Sequence, residues 1–205
     1  LNGNGGVISS NGTTTVTITN STLNNNRANG NGGVISGATI VLENAVLTNN
    51  SAFNGGSIYG NTNGVVNVSN SHFTGNNVSG NGSSIYASGA LNVTDSTFVS
   101  DNVVGNATIF IKSNKKNIAL ANNNMTGDLL DIYNEGGLFV TPTHLVFSNA
   151  TVDVFEKANL TALLTDDNGN IIGSSTPVNG TVNGTNIGDF VFNDTTKRFD
   201  GVHTP

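Results

Sequence analysis

The fold is decided by a stretch at residues 55–76, which reads GGSIYGNTNGVVNVSNSHFTGN. It opens with a glycine pair and places Ile58 two residues after that pair. An alternating segment follows in which Val66 and Val68 flank one polar residue, and this period of two is typical of a strand with one buried face. The stretch closes on an apolar residue held between two asparagines, Asn-x-x-Phe-x-x-Asn, at residues 70–76. These features define a unit for comparison with the rest of the chain.

The same three features recur in five blocks along the chain. The corner isoleucines are Ile8, Ile35, Ile58, Ile85 and Ile109. The alternating apolar pairs are Val16 and Ile18, Ile40 and Leu42, Val66 and Val68, Leu91 and Val93, and Ile118 and Leu120. The apolar residues of the third feature are Leu23, Leu47, Phe73, Phe98 and Met125. Each lies five residues after its strand, whereas the isoleucine precedes the strand by five to nine residues, so one corner is fixed and another accepts insertions.

A self-similar unit of about 25 residues is too short to bury an apolar face alone, and it gains a core by stacking on its neighbours. The sequence therefore predicts an all-β fold, a right-handed parallel β-helix of about five to six coils over residues 1–140. With strands about 4.8 Å apart, five coils would form a body on the order of 25 Å long.

Stacking also predicts ladders of side chains at the fixed corner. Asparagine amides at equivalent turns can bond their own backbone and the amide of the next coil. We expect one such ladder at Asn20, Asn44, Asn70, Asp95 and Asn122. Asp95, and likewise Asp101, is then a substituted ladder position and not a catalytic acid.

The paired Gly-Gly-x-Ile and Phe-x-x-Asn signatures resemble the polymorphic membrane protein repeat of autotransported bacterial adhesins and of adhesin-like surface proteins of methanogenic archaea. The resemblance covers Gly5 to Asp128, and the glycine pair is lost in the last two blocks. Leu23, Leu47 and Met125 stand where the family has Phe. The resemblance implies a right-handed β-helix, surface display and attachment, and it brings no catalytic residues.

Residues 141–205 no longer follow the repeat. Thr141-Pro142-Thr143 is a plausible hinge, because proline fixes its own backbone and extends the residue before it. The segment 158–171 resembles the start of bacterial immunoglobulin-like modules, with a hairpin turn at Asp167-Asn168-Gly169-Asn170. We predict a small immunoglobulin-like β-sandwich segment here, either truncated or a short variant, because such a module needs roughly 100 residues.

The amino-acid composition argues against several classes of function. Only 10% of the 205 residues are charged and the net charge is −6, without the basic stripe that nucleic-acid binding requires. No apolar run reaches the roughly 20 residues that span a bilayer, no signal peptide opens the chain, and we expect a fragment anchored by regions outside it. Cysteine is absent, which excludes disulfides and thiolate metal sites. Fourteen Asn-x-Ser/Thr triplets give weak support to a secreted glycoprotein.

An enzyme is an alternative, because parallel β-helices also carry polysaccharide lyases and hydrolases. Hydrolysis needs two carboxylates about 5 to 9.5 Å apart across a cleft. The candidates are Asp95, Asp101, Asp128, Asp131 and Glu135. They fall mostly at ladder or turn positions, so we expect no catalytic residue and no enzyme. Nor do we expect a metal or cofactor, since the histidines are isolated and residues 166–170 lack the later bidentate Glu of an EF-hand.

The residue after each corner isoleucine should face outward. This column reads Ser9, Ser36, Tyr59, Tyr86 and Phe110. Three aromatic rings on one exposed sheet could bind sugar rings or peptide side chains. The alternative is that the rings stack on one another and stabilise the sheet, or are covered by a neighbouring loop. Tyr59, Tyr86 and Phe110 are the candidate ligand-binding residues.

Together these features predict a noncatalytic cell-surface adhesin or adhesin-like stalk, extracellular, that attaches weakly and multivalently to host or neighbouring cells through a glycan or protein ligand. A purely structural envelope protein and a carbohydrate-active β-helix enzyme remain the alternatives. A convergent carboxylate cleft would indicate the enzyme, and an exposed aromatic or loop-rich face would indicate the adhesin.

Overall fold

The computed structural model describes residues 3–99, 107–112, 117–127, 129–135, 144–147, 158–182 and 185–203. All regular structure in these residues is β-strand. The strands in chain order are β1 (Ile8–Ser9), β2 (Thr15–Thr19), β3 (Thr22–Asn24), β4 (Ile35–Glu43), β5 (Val46–Thr48), β6 (Ser51–Ala52), β7 (Ile58–Ser69), β8 (His72–Thr74), β9 (Asn77–Val78), β10 (Ile85–Ala87), β11 (Ala90–Thr94), β12 (Thr97–Val99), β13 (Ile109–Ile111), β14 (Ile118–Ala121), β15 (Asn124–Thr126), β16 (Ile132–Asn134), β17 (His144–Phe147), β18 (Ala158–Thr165), β19 (Ile172–Ser174), β20 (Val178–Val182), β21 (Thr185–Asn193) and β22 (Arg198–His203).

The repeat forms a β-solenoid of about five turns, as the sequence pattern predicted. Its longest sheet is parallel and runs β1-β4-β7-β10-β13-β16-β19. Each corner isoleucine pairs directly with the isoleucine of the next coil, beginning with Ile8 on Ile35 and Ile35 on Ile58. Equivalent residues of successive repeat units therefore lie side by side on neighbouring strands.

Two further strand stacks close the coil. The alternating segments pair in parallel from β2 through β4, β7 and β11 to β14, and the segments around Leu47 and Phe73 form the sheet β15-β12-β8-β5-β3. A short pair, β6 on β9, lies between that sheet and the glycine corner. Phe73 and Phe98 are fully buried and their rings stack at 4.6 Å. The interior is therefore filled by the three apolar columns that recur in the sequence.

The glycine pair is required by the backbone at the corner. Gly55 has a φ of 61°, a left-handed conformation that residues with a Cβ rarely adopt. Its neighbour Gly56 has no room for a side chain, because a Cβ would collide with the backbone carbonyl of Ser83 in the next coil. The two glycines thus serve different purposes, a turn and a close approach between coils.

A ladder of asparagine amides inside the coil is a second feature that fixes the turns. Asn50 and Asn76 have no exposed surface, although asparagine is seldom fully buried. The Oδ1 of Asn50 accepts from the backbone N–H of Asn26 at 2.9 Å, and its Nδ2 donates to the carbonyl of Leu23 at 3.0 Å. Because both ends of the amide are satisfied, the side chain holds the turn from inside the coil.

The solenoid continues beyond the five predicted blocks. Ile132 follows Ile109 in the isoleucine column, and Ile172 follows Ile132. Ile172 lies in the region predicted to form a second domain, 141–205, so one sheet joins strands from both predicted domains. The boundary between residues 140 and 141 falls outside the described residues.

The turn before Ile172 is the predicted hairpin. The backbone N–H of Asp166 donates to the carbonyl of Asn170, and Thr165 pairs with Ile171 in an antiparallel bridge. Asn170 is buried and bonds to the solenoid, accepting from the N–H of Met125 at 3.0 Å and donating to the carbonyl of Asn123 at 3.0 Å. This hairpin therefore packs against the last coils of the stack.

The remaining strands form an antiparallel sheet in the order β17-β18-β22-β21-β20. Phe190 and Phe199 are buried in it and belong to the same hydrophobic cluster as Ile132 and Ile172. The antiparallel sheet thus shares its apolar core with the solenoid.

Candidate functional site

The predicted aromatic strip is a continuous stack of rings on the sheet. Tyr59 stacks on Tyr86 at 4.9 Å, Tyr86 on Phe110 at 5.2 Å, and Phe110 on Tyr133 at 5.3 Å. The interplanar angles lie between 12° and 20°, because successive parallel strands hold the rings in the same orientation. Tyr133, which the repeat pattern did not include, extends the column by one coil.

Most of this column is covered, which corrects the expectation of an open strip. Tyr86 is 6% exposed and Phe110 is 2% exposed. Ala107 and Leu130 pack against the rings, with partial cover from Ile171 and Phe192. Only Tyr59, at the edge of the cluster, is partly exposed. The geometry corresponds to the stacking alternative, and a ligand could reach the column only at its Tyr59 end.

Burial also changes the chemistry of these phenols. Desolvation raises the pKa of Tyr86 from 10.0 to about 12, and proximity to Tyr59 adds to the rise. Desolvation raises the pKa of Tyr133 in the same direction. Both side chains therefore remain neutral at physiological pH.

The predicted ladder residues all adopt the left-handed backbone conformation, with φ between 47° and 56° at Asn20, Asn44, Asn70, Asp95 and Asn122. Asn44 donates from Nδ2 to the Oδ1 of Asn20 at 3.3 Å, and Asn122 donates from Nδ2 to a carboxylate oxygen of Asp95 at 3.0 Å. The carboxylate of Asp95 thus has a partner on the neighbouring coil.

The other acidic candidates are dispersed over the described part of the chain. Asp131 accepts from the backbone N–H of Ile171 at 2.7 Å, and Glu135 lies 3.8 Å from the ammonium of Lys112. Asp101 and Asp128 lie outside the described residues. Among the residues that the structure describes, no three His, Asp or Glu side chains are grouped so as to hold a metal ion.

Asp166 and His72 have local partners. The carboxylate of Asp166 accepts from the backbone N–H groups of Asn168 and Asn170 at 3.0 and 2.9 Å, which stabilises the hairpin turn. His72 lies on the exposed side of β8, 2.7 Å from the hydroxyl of Thr74.

A groove that the sequence analysis missed crosses the third face of the solenoid. We call it the β6–β9 groove; it has a volume of about 470 Å³. Its lining is Arg27, Ala28, Asn29, Ser51, Ala52, Phe53, Asn77, Val78 and Ser79. These residues come from three consecutive coils, paired through Arg27 on Ser51 and Ser51 on Asn77. The sequence feature that could have indicated this groove is Phe53, an aromatic residue at the position where the neighbouring coils have Asn29 and Ser79.

Comparison with known proteins gave no matching family model, no matching curated protein and no matching solved structure. Within the described residues, no helix is long and apolar enough to cross a membrane.

Proposed function

We propose that the chain is part of a noncatalytic, adhesin-like protein of the cell surface, displayed outside the cell and attaching to host or neighbouring cells. The observation that carries the proposal is the filled solenoid. Its interior holds the isoleucine, valine and phenylalanine columns, so only its lateral faces and turns are free to meet a partner.

The sequence resemblance extends this proposal to the type of solenoid and to the antiparallel sheet, and the sequons extend it to glycosylation. The solenoid is taken as a right-handed β-helix of the polymorphic membrane protein type. The antiparallel sheet is taken as part of an immunoglobulin-like module. The sequon asparagines Asn92 and Asn124 are exposed on the strands and lie outside the β6–β9 groove, which supports glycosylation at those two positions.

The small lateral features support weak binding by each copy. A stable protein interface buries about 1,200 to 2,000 Å² in total, more than the partly exposed Tyr59 or a single groove can provide. Display of many copies compensates, because linked binding events raise the effective affinity by orders of magnitude. Attachment therefore depends on multivalent presentation.

The test is a bead adhesion assay. Beads carrying many copies of the chain are incubated with cells and with immobilised polysaccharides, and soluble chain at the same total concentration is the control. We expect retention of the beads and only weak binding of the soluble chain. Beads that attach to no surface would overturn the proposal.

The rival enzyme function is tested on the same preparation. Release of reducing ends or unsaturated products from pectin, alginate or hyaluronan, with and without Ca²⁺, would show a carbohydrate-active protein. We expect no turnover, because Asp95 and Asp131 each already have a hydrogen-bond partner in the structure.

A further inference from the structure

The β6–β9 groove has an apolar floor and polar sides. Ala28, Ala52 and Val78 point inward and are 3%, 9% and 3% exposed. The residues on either side of them alternate outward, as expected for short strands. Its volume of about 470 Å³ lies within the range of small-ligand sites, about 300 to 1,000 Å³.

Phe53 provides an aromatic surface at the groove. It is 53% exposed, unlike the fully buried Phe73 and Phe98. Leaving a phenyl ring in water forgoes the stabilisation that burial would give, about 1.5 to 3 kcal/mol for a large apolar side chain. An exposed aromatic ring beside hydroxyl and amide groups suits a ligand that is apolar on one face and polar at its edge.

Arg27 provides a positive charge. It is the only Lys or Arg before Lys112 in the sequence, in a chain of net charge −6. The groove lining contains no carboxylate, and Arg27 forms no ion pair with any described residue. Its planar guanidinium is suited to a carboxylate, which it can bind through two parallel N–H donors.

The neutral polar side chains complete the site. In the part of the chain that the structure describes, the side chains of Ser51, Asn77 and Ser79 make no hydrogen bond, so they are available to hydroxyl groups of a ligand. Phe53 lies two residues along and one coil away from Arg27. With a rise of about 3.3 Å per residue and strands about 4.8 Å apart, their Cα atoms are separated by about 8 Å. That separation accommodates one sugar ring.

We propose that the β6–β9 groove binds a carboxylate-bearing sugar residue of an acidic polysaccharide. The ring lies on Phe53, its carboxylate meets the guanidinium of Arg27, and its hydroxyls bond to Asn77 and Ser79. This inference rests on the proposed attachment function and gives it a ligand class. An acidic peptide would offer the carboxylate without a row of hydroxyls, which makes a uronic acid the better match to these amide and hydroxyl side chains.

The experiment uses the full chain produced without N-linked glycans, because Asn77-Val78-Ser79 is itself a sequon and a glycan there would fill the groove. Calorimetry measures binding of oligogalacturonate, oligoalginate and hyaluronan oligomers. Neutral oligosaccharides of equal length and a poly-glutamate peptide are the comparison ligands. We expect at least one uronic acid oligomer to bind at least tenfold more tightly than both comparison ligands.

Variants locate the site. Phe53→Ser removes the aromatic ring and introduces serine, the residue that the next coil has at the equivalent position, Ser79. Arg27→Gln removes the positive charge of the guanidinium. Each should lower the affinity for the uronic acid oligomer at least tenfold. Val65→Ser, at an exposed valine (37% exposed) outside the groove, is the matched control and should bind as wild type does. Thermal unfolding verifies that each variant is folded.

Failure of this inference is separable from failure of the attachment proposal. No binding to any uronic acid oligomer, equal binding of the neutral oligosaccharide or the peptide, or unchanged affinity in Phe53→Ser and Arg27→Gln would overturn the groove assignment. Beads carrying those two variants that still attach to cells as wild type would also overturn it, leaving attachment standing. Loss of all bead adhesion in the wild type would instead overturn the attachment function.

Discussion

At the scale of single residues, the turns are governed by backbone conformation more than by side-chain contacts. Asn44 is exposed, yet its φ of 51° is one that asparagine and glycine tolerate and most residues do not. The side-chain bond to Asn20 is long, at 3.3 Å, and lies on the surface. The conformational requirement is therefore the larger contribution of Asn44 to stability.

The positive φ of Asn44 predicts different effects for two substitutions at this position. Asn44→Gly should change the free energy of unfolding by only a few tenths of a kcal/mol, whereas Asn44→Val should lower it by about 1–2 kcal/mol because a β-branched residue is strained at positive φ. Chemical denaturation measures both. The control is Thr17→Val, at an exposed and extended strand position, which should be nearly neutral. Equal losses for Gly and Val at Asn44 would mean that the amide bond dominates.

Sequence and structure agree best where one residue type is needed for a local reason. The glycine pairs and the Asn corners recur because positive φ and close coil contact permit few alternatives, so their spacing alone predicts the coils. Phe53 and Arg27 do not recur, because the residue type at their positions on the third face differs from coil to coil. The groove therefore became visible only when three coils were placed side by side.

At the scale of elements, the interior amide ladder explains how a turn can be buried. Asn50 has no exposed surface, and its Nδ2 faces two acceptors, the carbonyl of Leu23 at 3.0 Å and the Oδ1 of Asn76 at 3.1 Å. An aspartate carboxylate at this position would place an oxygen, with no hydrogen to donate, against both acceptors. Asn50→Asp should therefore destabilise the chain by about 3–5 kcal/mol at neutral pH.

The pH dependence of the Asn50→Asp variant distinguishes this account from simple loss of packing. Near pH 3 the carboxyl becomes protonated and regains one donor, so part of the lost stability should return relative to wild type at the same pH. Asn24→Asp, exposed on β3, is the matched control and should show little loss at either pH. A deficit for Asn50→Asp that does not change with pH would contradict the hydrogen-bond argument.

The aromatic column predicts sensitivity to alkali. Burial raises the folded-state pKa of Tyr86 to about 12 against 10.0 when exposed, so its neutral form stabilises the fold fully below pH 10. That contribution is lost as the pH rises from about 10 through about 12, because the unfolded chain releases the proton first. The melting temperature of Tyr86→Phe should accordingly fall less steeply between these pH values than that of wild type. Parallel curves would show that Tyr86 ionises freely in the folded protein.

Of the two alternatives for the aromatic column, the burial of Tyr86 and Phe110 favours stacked and covered rings over an open strip. Alternation correctly places Tyr59, Tyr86 and Phe110 on the outer side of the sheet, but it says nothing of what packs over that side. Leu130 and Phe192 cover the rings from parts of the chain with no repeat signature. Sequence periodicity predicts which way a side chain faces, and only the tertiary fold decides whether it meets water.

Over the molecule as a whole, the solenoid and the antiparallel sheet are joined by a common apolar core and by a chain of rings; β19 of the solenoid sheet lies in the chain between β18 and β20 of the antiparallel sheet. Gly173 pairs with Tyr133 where the aromatic column would continue, and a Cβ there would collide with the ring of Phe192. Phe192 lies 5.7 Å from Tyr133 and 5.2 Å from Phe199, whose side chain is fully buried. The antiparallel sheet therefore supplies the ring that the last rung lacks.

This junction was not predictable from repeats. The unit that contains Ile132 lacks both the glycine pair and the Asn-x-x-Phe segment, and Ile172 follows a hairpin that belongs to another pattern. What places them in the column is the pairing of Ile109 with Ile132 and of Ile132 with Ile172. Ile172, which follows residue 141 in the sequence, thus packs in the same core as the solenoid isoleucines.

The continuity of that core predicts cooperative unfolding across both regions. Ile172 is 1% exposed, so Ile172→Asp would bury an unpaired carboxylate at the junction and should cost several kcal/mol. If the core is one unit, amide hydrogen exchange should accelerate by similar factors in β13, two rungs away in the solenoid, and in β22 of the antiparallel sheet. Val202→Asp, at a side chain 54% exposed, is the control and should leave β13 unchanged. Acceleration confined to one region would show that the two regions fold independently in spite of the shared core, because a cooperative core cannot lose one half and keep the other.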